Sequence, residues 1–414
     1  MNDLVGPPTL PPTRYLRVFH SVAQLGSMSK ASTELRRAQS AVQRAIQQLE
    51  ESLETRLFER TSRGILLTDN GKVLQGRVQH ALDEMETARQ ALYEQGGIAP
   101  RHNAPIFSLA LNERRLAILV AFSRYRHMSA VAQQLDITQP AVSLALRDLE
   151  DSCNLKLFDR SVSPIALTAA GELLLAHIKR ALYQLRLARA EIAARDGVLK
   201  GDITIGALPF GRPYILPTAI ATLHTDHPAL RFTTVEGPFE TLTHALWCGD
   251  IDFIMGALPT GEHYGDLVQE DLFHDKLVVI ARSGHPLQQA SGAIHNLANA
   301  DWVLPPRRTP TRDVLMSSLA AMQAPPLNVT VESSDLSLIR GLLLGSDMIT
   351  AASRHLFQHE LRNGMLSLLP MDLPDTQRTI GVLRRPQEHA SPGATRLIQV
   401  IRALGDSLKN KGLP

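Results

Sequence analysis

Residues Met28–Gly71 read MSKASTELRRAQSAVQRAIQQLEESLETRLFERTSRGILLTDNG, and residues Met128–Gly171 read MSAVAQQLDITQPAVSLALRDLEDSCNLKLFDRSVSPIALTAAG. The second stretch follows the first at an offset of 100 residues, without a gap. Met28, Ser29, Leu35, Gln39, Ala41, Val42, Leu49, Glu50, Leu57, Phe58, Arg60, Thr68 and Gly71 all recur at that offset. Self-similarity at a fixed period sets the architecture before any other reading. Two copies are too few for a solenoid, so they read as a duplicated small domain.

Within a copy, Ser29 is expected to N-cap a short helix running to about Leu35, its hydroxyl accepting from an orphan N–H of the first turn. A tight break follows at Arg36–Ala38, or Asp136–Thr138 in the second copy. A second helix then starts at Gln39 or Gln139. Its apolar residues fall at Val42, Ile46 and Leu49, and again at Val142, Leu146 and Leu149, one buried stripe. The opposite side carries Gln39, Ser40, Gln43, Arg44 and Gln47. Two short helices joined by a tight turn, the second with a polar outer face, read as a helix-turn-helix. Arg, Gln and Ser on such a helix have the chemistry to pair with base edges in the major groove. LFER-TSRG-ILLT, and LFDR-SVSP-IALT in the second copy, read as a β-hairpin wing. An ordinary solvated helix face would explain either polar side alone, but not the whole pattern twice in register.

These residues resemble the winged helix-turn-helix of the LysR-type transcriptional regulators. The family's marks are TQPAVS, then LE, then LF-x-R, then LT-x-x-G. The second copy holds Thr138–Ser143, Leu149-Glu150, Leu157-Phe158-Asp159-Arg160 and Leu167–Gly171. The first copy departs at Ala38, Ser40 and Gln43. The resemblance implies DNA contacts from Ser29, Gln39, Ser40, Gln43, Arg44, Arg60 and Arg63 in the first copy. In the second it implies Ser129, Thr138, Gln139, Pro140, Ser143, Arg147 and Arg160.

The chain has 414 residues, a formal net charge of +2 and 44% hydrophobic residues, enough for several cores and too balanced for a polybasic protein. Any nucleic-acid footprint must therefore be a local patch. Residues 14–70 hold nine Arg/Lys against six Asp/Glu, and residues 114–170 seven against five, so both copies are mildly basic, as a phosphate-contacting face requires. Cys153 and Cys248 are too few for a zinc site or a disulfide framework and read as reduced, partly buried thiols. MNDLVGPPTLPPTR has neither a basic nor an apolar signal region, and no apolar run reaches spanning length. We expect a cytoplasmic protein with no membrane partner.

In chain order, residues 1–13 are Pro-rich and expected to be a disordered tail. Residues 14–71 form the first winged domain, and 72–97 a linker or dimerisation helix with a coiled-coil seam at Leu74, Val78, Ala81, Met85, Ala88 and Leu92. Residues 98–113 are a linker, with 98–108 its irregular part, and 114–171 the second winged domain. Residues 172–197 repeat the seam at Leu174, Ile178, Ala181, Leu185, Ala188 and Ile192. A seam helix needs a partner; the expected one is the same helix of another subunit, giving a homodimer or homotetramer, and the less favoured one is the chain's own domains.

From Gly201 strands alternate with helices, which predicts an α/β fold with largely parallel pairing. Two such runs with a late return predict two lobes, about 198–276 plus 378–414 and about 282–377. Gly249-Asp250-Ile251-Asp252 and His285-Pro286-Leu287 resemble the family's effector domain, which implies the two-lobed architecture of periplasmic binding proteins. GALP, VEGPFETL and LVQEDLFHDKLVVIARSGHPL are most similar to the galactose-binding-protein regulator subgroup. The fold expected overall is α/β: two tandem, mainly-α winged helix-turn-helix domains followed by a two-lobed effector domain.

No zinc-protease motif, Walker loop, nucleophile elbow or dinucleotide fingerprint occurs, so neither catalysis nor a cofactor is expected. His224, Asp226 and His227 precede Pro228 at a helix end and read as surface residues rather than metal ligands. Ligands of open α/β sheets sit outside strand C-termini. The loops there carry Leu208, Pro209 and Arg212, then Arg308 and Thr309 before a helix start suited to an anion, then Ser333 and Ser334. The resemblance places a small-molecule inducer here, a sugar or an organic acid.

The protein therefore reads as a ligand-responsive regulator that binds double-stranded DNA. The rival class is a small-molecule-binding or interaction protein whose winged domains only dimerise; Gln39, Gln139 and Arg60 argue against it. The copies are expected to meet DNA unequally. Thr138 can cap where the first copy has Ala38, but Leu144 replaces Arg44 and Ser163 replaces Arg63 at the wing tip. The alternative keeps the first copy for assembly alone.

Overall fold

Left-handed backbone at Arg36 (φ 49°) and Asp136 (φ 50°) makes the tight break inside each copy, a conformation uncommon for residues other than glycine. In the computed structural model that break separates α2 (Met28–Glu34) from α3 (Gln39–Leu53), after a first helix α1 (Thr13–Leu25) that periodicity does not separate out. The wing is β1 (Phe58–Thr61) against β2 (Gly64–Leu67), and α4 (Asp69–Gly96) follows. The second copy repeats the series as α5 (Glu113–Tyr125), α6 (Met128–Gln134), α7 (Gln139–Cys153), β3 (Phe158–Asp159), β4 (Ala166–Leu167) and α8 (Ala169–Arg195). The structure describes residues 11–410 except 62–63, 97–99, 102–103, 109–112, 162–164, 259–264, 290–298, 308 and 387–388.

Three of the recurring residues, Glu50, Thr68 and Gly71, owe their recurrence to local geometry. The Glu50 carboxylate accepts from the N–H groups of Leu57 (2.7 Å) and Phe58 (3.2 Å), and Glu150 does the same for Leu157 (2.8 Å) and Phe158 (3.0 Å). A charged acceptor thus ties the end of the recognition helix to the start of the wing. Thr68 and Thr168 accept from the N–H of Gly71 (3.0 Å) and Gly171 (3.1 Å) and start the long helices. A Cβ on Gly71 would lie 2.1 Å from the Leu57 carbonyl oxygen, and one on Gly171 2.2 Å from that of Leu157, so no larger residue fits.

Three expectations change. Ser27, not Ser29, caps α2, accepting from Lys30 N–H at 3.3 Å; Ser29 is an exposed residue of the first turn. Thr13 begins α1, while residues 1–10 of the expected tail lie outside the described residues. The expected linker contains a short turn, Pro105–Ser108, that buries Ile106 and Phe107 in the core. Thr138 does cap α7, accepting from Ala141 N–H (3.4 Å), and Ala38 leaves α3 uncapped in the same extended conformation. Ala38→Ser is therefore expected to stabilise, and Thr138→Ala to destabilise, by about 1 kcal/mol each. Thermal unfolding of the two variants checks this; equal shifts in one direction would contradict it.

The seam residues are all buried, and their partner is in the same chain. α4 packs along α8, so the expected pairing with another subunit's helix gives way to pairing between the two copies. Arg77 binds Glu191 through both its Nε (3.0 Å) and a second nitrogen, and Gln184 at 2.9 Å. Glu84 accepts from Arg180 (2.6 Å) and pairs with His177 (3.0 Å), and Asp69 meets Arg195 at 3.3 Å. Partners advance along α4 as they retreat along α8, so the helices run antiparallel. Burial pushes the Glu84 carboxyl up, but the His177 hydrogen bond and the Arg180 charge outweigh it and leave it below its ordinary value. Both winged domains and the helix pair share one apolar core from Leu16 to Ile192.

The chain divides into two compact units: Met1–Gly201 with Trp247–Asp250, and Asp202–Leu246 with Ile251–Pro414. The second runs through β5 (Gly201–Ala207), α9 (Ile215–Asp226), β6 (Leu230–Val235), α10 (Phe239–Cys248), β7 (Phe253–Leu258) and β8 (Val268–Asp275). Next come β9 (Leu277–Arg282), β10 (Asp301–Leu304), α11 (Pro310–Ala321), β11 (Asn328–Glu332), α12 (Leu336–Gly345), β12 (Thr350–Ser353), α13 (Gln358–Arg362) and β13 (Leu366–Leu368). β14 (Arg378–Arg384) and α14 (Pro392–Asn410) close it. One lobe is a five-stranded sheet in the order β6-β5-β7-β14-β8. The other has β12-β9-β13 and the parallel pair β10-β11, bridged by Trp302 to Ile349. β9 pairs with β12 and β13, so the second lobe starts at Leu277 rather than near 282. Pairing is mixed rather than largely parallel: β14, returning from the second lobe, lies antiparallel to both β7 and β8.

Candidate nucleic-acid interface and ligand cleft

Each recognition helix buries one face and presents the other. On α3, Val42, Ala45, Ile46 and Leu49 are buried, while Gln39, Ser40, Gln43 and Arg44 are exposed. On α7, Gln139, Pro140 and Arg147 are exposed and Ser143 is half-buried; Leu144 is 60% exposed. Ser29 and Ser129 are exposed in the preceding helices, and Arg60 is exposed on β1. Arg160 is held by Glu150 at 2.6 Å, which fixes it against its own domain; Thr138 is occupied as a cap. Arg63 lies outside the described residues. Arg36 and Arg37, not singled out from the sequence, are exposed in the turn before α3; the second copy has Asp136 and Ile137 there. Two adjacent arginines against an aspartate were the available signal, and they make the first head the more basic.

In the second unit two of the expected loops, the turn Pro209–Gly211 and the start of α11, meet around one charged cluster. Asp275, at the end of β8, accepts from Arg378 Nε (3.2 Å) and Nη2 (3.0 Å) and from Ser353 Oγ (2.9 Å). Arg378 Nη1 donates to Thr311 Oγ1 at 2.9 Å, which brings the start of α11 to the same place. Phe210, in the turn Pro209–Gly211, packs on Phe273 (5.7 Å) and His355 (5.8 Å). Burial holds the His355 imidazole below its ordinary 6.5, against the opposite pull of Asp275.

The residues singled out from sequence divide. Leu208 is buried, its N–H donating to Met255 O at 3.0 Å. Arg212 donates to Ala207 O (2.9 Å) and pairs with Glu236 (2.9 Å), so it is committed to its own loop. Thr309 donates to Pro306 O at 2.8 Å instead of capping α11. Ser333 Oγ accepts from Asp335 N–H at 3.1 Å, and Ser334 is exposed beside it. Arg308 lies outside the described residues. Sequence reasoning missed Arg312: in the first turn of α11 it is only 6% exposed, and its Nη1 has no hydrogen-bond partner among the described residues. A buried guanidinium nitrogen left open at a helix start favours an anion.

Among the described residues no helix is long and apolar enough to cross a membrane. The family described as "Bacterial regulatory helix-turn-helix protein, lysR family" matches residues 13–72 and again 114–172, and "LysR substrate binding domain" matches residues 196–406. The HTH-type transcriptional regulator GalR of Pseudomonas putida is 41% identical over 393 residues, 95% of this chain and 97% of its own, so the likeness runs through both winged domains. The HTH-type transcriptional regulator GbpR of Azospirillum brasilense is 25% identical over 73% of this chain and 89% of its own. A full-length OxyR variant from Pseudomonas aeruginosa shares the fold, with a TM-score of 0.51 at 24% identity over 70% of this chain and 96% of its own.

Proposed function

The chain belongs to the LysR family of bacterial transcriptional regulators, and from that premise we propose that both of its winged domains touch DNA and that a small anion held by the second unit controls them. DNA binding and an effector domain come with the family; the contact residues are our reading. The supporting observation is the exposed polar face of the recognition helix, over a buried stripe, twice in one chain. We read the protein as a cytoplasmic binding protein, not an enzyme, because its relatives are regulators.

Arg44 is assigned to a base edge and Arg36 to phosphate. Arg44→Ala is expected to cost about 1–3 kcal/mol and relax one operator position. Arg36→Ala is expected to weaken all sequences alike and flatten the salt slope by about 1. Gel shifts on upstream DNA at several salt concentrations separate the two, and wild-type binding by both variants would remove the first copy from the interface.

For the ligand, the buried Arg312 with its open Nη1 at the start of α11 supports an organic acid over a neutral sugar. At a hundredfold excess over Kd, such an acid should stabilise the second unit by about 2.7 kcal/mol, and Arg312→Ala should abolish that gain. A thermal-shift screen of organic acids and sugars decides it; a neutral sugar that stabilises wild type and Arg312→Ala alike would overturn the assignment.

A further inference from the structure

We propose that one copy of this chain is a complete two-headed DNA reader whose target is two inverted, dissimilar half-sites, and that α4 and α8 are matched to each other rather than to a second copy of themselves. This rests on the regulator reading above and adds the form of the site.

The matching is visible in the charges. The antiparallel register sets Arg77 against Glu191, Glu84 against His177 and Arg180, and Asp69 against Arg195. Pairing α4 with another α4 would keep Glu84 within reach of Arg77, but would put Ala91 where Glu191 stands and Gln95 where Arg195 stands. Pairing α8 with another α8 would keep His177 within reach of Glu191, but would set Arg180 and His177 against Gln184, and Arg195 against Ala169. Only the mixed pair satisfies every position, and complementary flanking charges are how seam helices choose partners. The connection between copies adds to this. Ile106 and Phe107 are buried in the shared core, and Arg101 N–H donates to Cys153 O at 3.3 Å. A short, docked connection keeps the second helix at high effective concentration near the first.

The geometry sets the form of the target. Each head sits at the N-terminal end of its long helix, so antiparallel pairing places the heads at opposite ends of the pair, related by an approximate two-fold axis. A 28-residue helix spans about 42 Å, close to the ~34 Å of one DNA turn that separates half-sites read by two-fold partners. In an assembly of identical heads, two-fold symmetry implies a palindrome; here the heads differ. Gln39, Gln43 and Arg44 suit adenine and guanine edges, whereas Leu144 suits a thymine methyl and Arg147 a guanine or phosphate.

Full-length protein is mixed with a random duplex library and the bound sequences are read. The expected result is two inverted half-sites about one turn apart and unlike each other. Arg44→Ala should relax one half only, and Leu144→Ala the other only, each by tenfold or more at one base position. Grafting the first head's residues onto the second (Pro140→Ser, Ser143→Gln, Leu144→Arg, Arg147→Gln) should turn the selected site into a palindrome; should the graft misfold, the two single variants decide alone. A palindrome selected by the wild type, or a single half-site indifferent to Arg44→Ala, overturns the inference. Selection of no DNA at all would instead overturn the regulator reading. Arg77→Cys with Glu191→Cys, oxidised in the full chain, should crosslink within one chain on a denaturing gel; a crosslinked dimer would overturn the claim that one copy of the chain is a complete two-headed reader.

Discussion

Leu185→Asp is expected to cost the first unit on the order of 5 kcal/mol, enough to remove its separate melting transition. Leu185 is fully buried in the α4–α8 seam. Losing the side chain there costs roughly 2–5 kcal/mol, and a carboxylate buried in that apolar core adds desolvation that no hydrogen bond offsets. Small domains hold only about 5–15 kcal/mol in all. Both heads depend on the same core, so DNA binding by both should fail together. Calorimetry on the full chain, with the exposed Gln90→Asp as control, measures this. Sedimentation adds a sharper test: the seam joins two parts of one chain, so the assembly's mass should not fall. A halved mass with an intact melting profile would mean that the helices pair between chains.

Asp275→Ala is expected to destabilise the second unit by about 3–5 kcal/mol, because it strands the Arg378 guanidinium. The Asp275 side chain is 2% exposed and that of Arg378 12%, so water cannot replace the lost partner. The pair sits where both crossings between the lobes pass: Asp275 precedes β9, and Leu277 N–H donates to Thr376 Oγ1 (3.3 Å) just before β14. The double variant Asp275→Ala with Arg378→Met should recover most of the loss, since replacing a whole buried pair by apolar groups is often near neutral. An unchanged melting temperature in Asp275→Ala, or a double variant as unstable as the single, would show that the pair does not hold the crossing. Ligand response should weaken with the single variant too, because Arg378 also anchors Thr311 at the start of α11.

The sequence by itself determined whatever short-range periodicity and pairing rules control. The duplication, the two recognition helices, the Thr138 cap, both seams and most strands of the second unit were legible because each depends on residues a few positions apart. Ser29 was misread for a local reason: Ser27, two residues earlier, offers the same hydroxyl, and the chain enters the helix there. The tertiary structure alone decided what depends on distant residues. A seam pattern demands a partner without identifying it; that choice rests on Arg77 meeting Glu191 and Glu84 meeting Arg180, contacts about a hundred positions apart. Glu50 and Gly71 recur visibly, but their roles appear only when the wing folds back to bring Leu57 to both. β8 carries Glu270 and Asp271, and no local pattern marks it as a strand; it forms because β14 returns from the other lobe to pair with it. The same return makes the sheet mixed, since a strand re-entering from the far lobe meets β7 and β8 head to tail. Nothing local in the sequence sets Arg312 apart; packing removes it from water and leaves one nitrogen open among the described residues. Local patterns select elements because their energies are local; partners, strand directions and the burial of single charges are set by the whole folded chain.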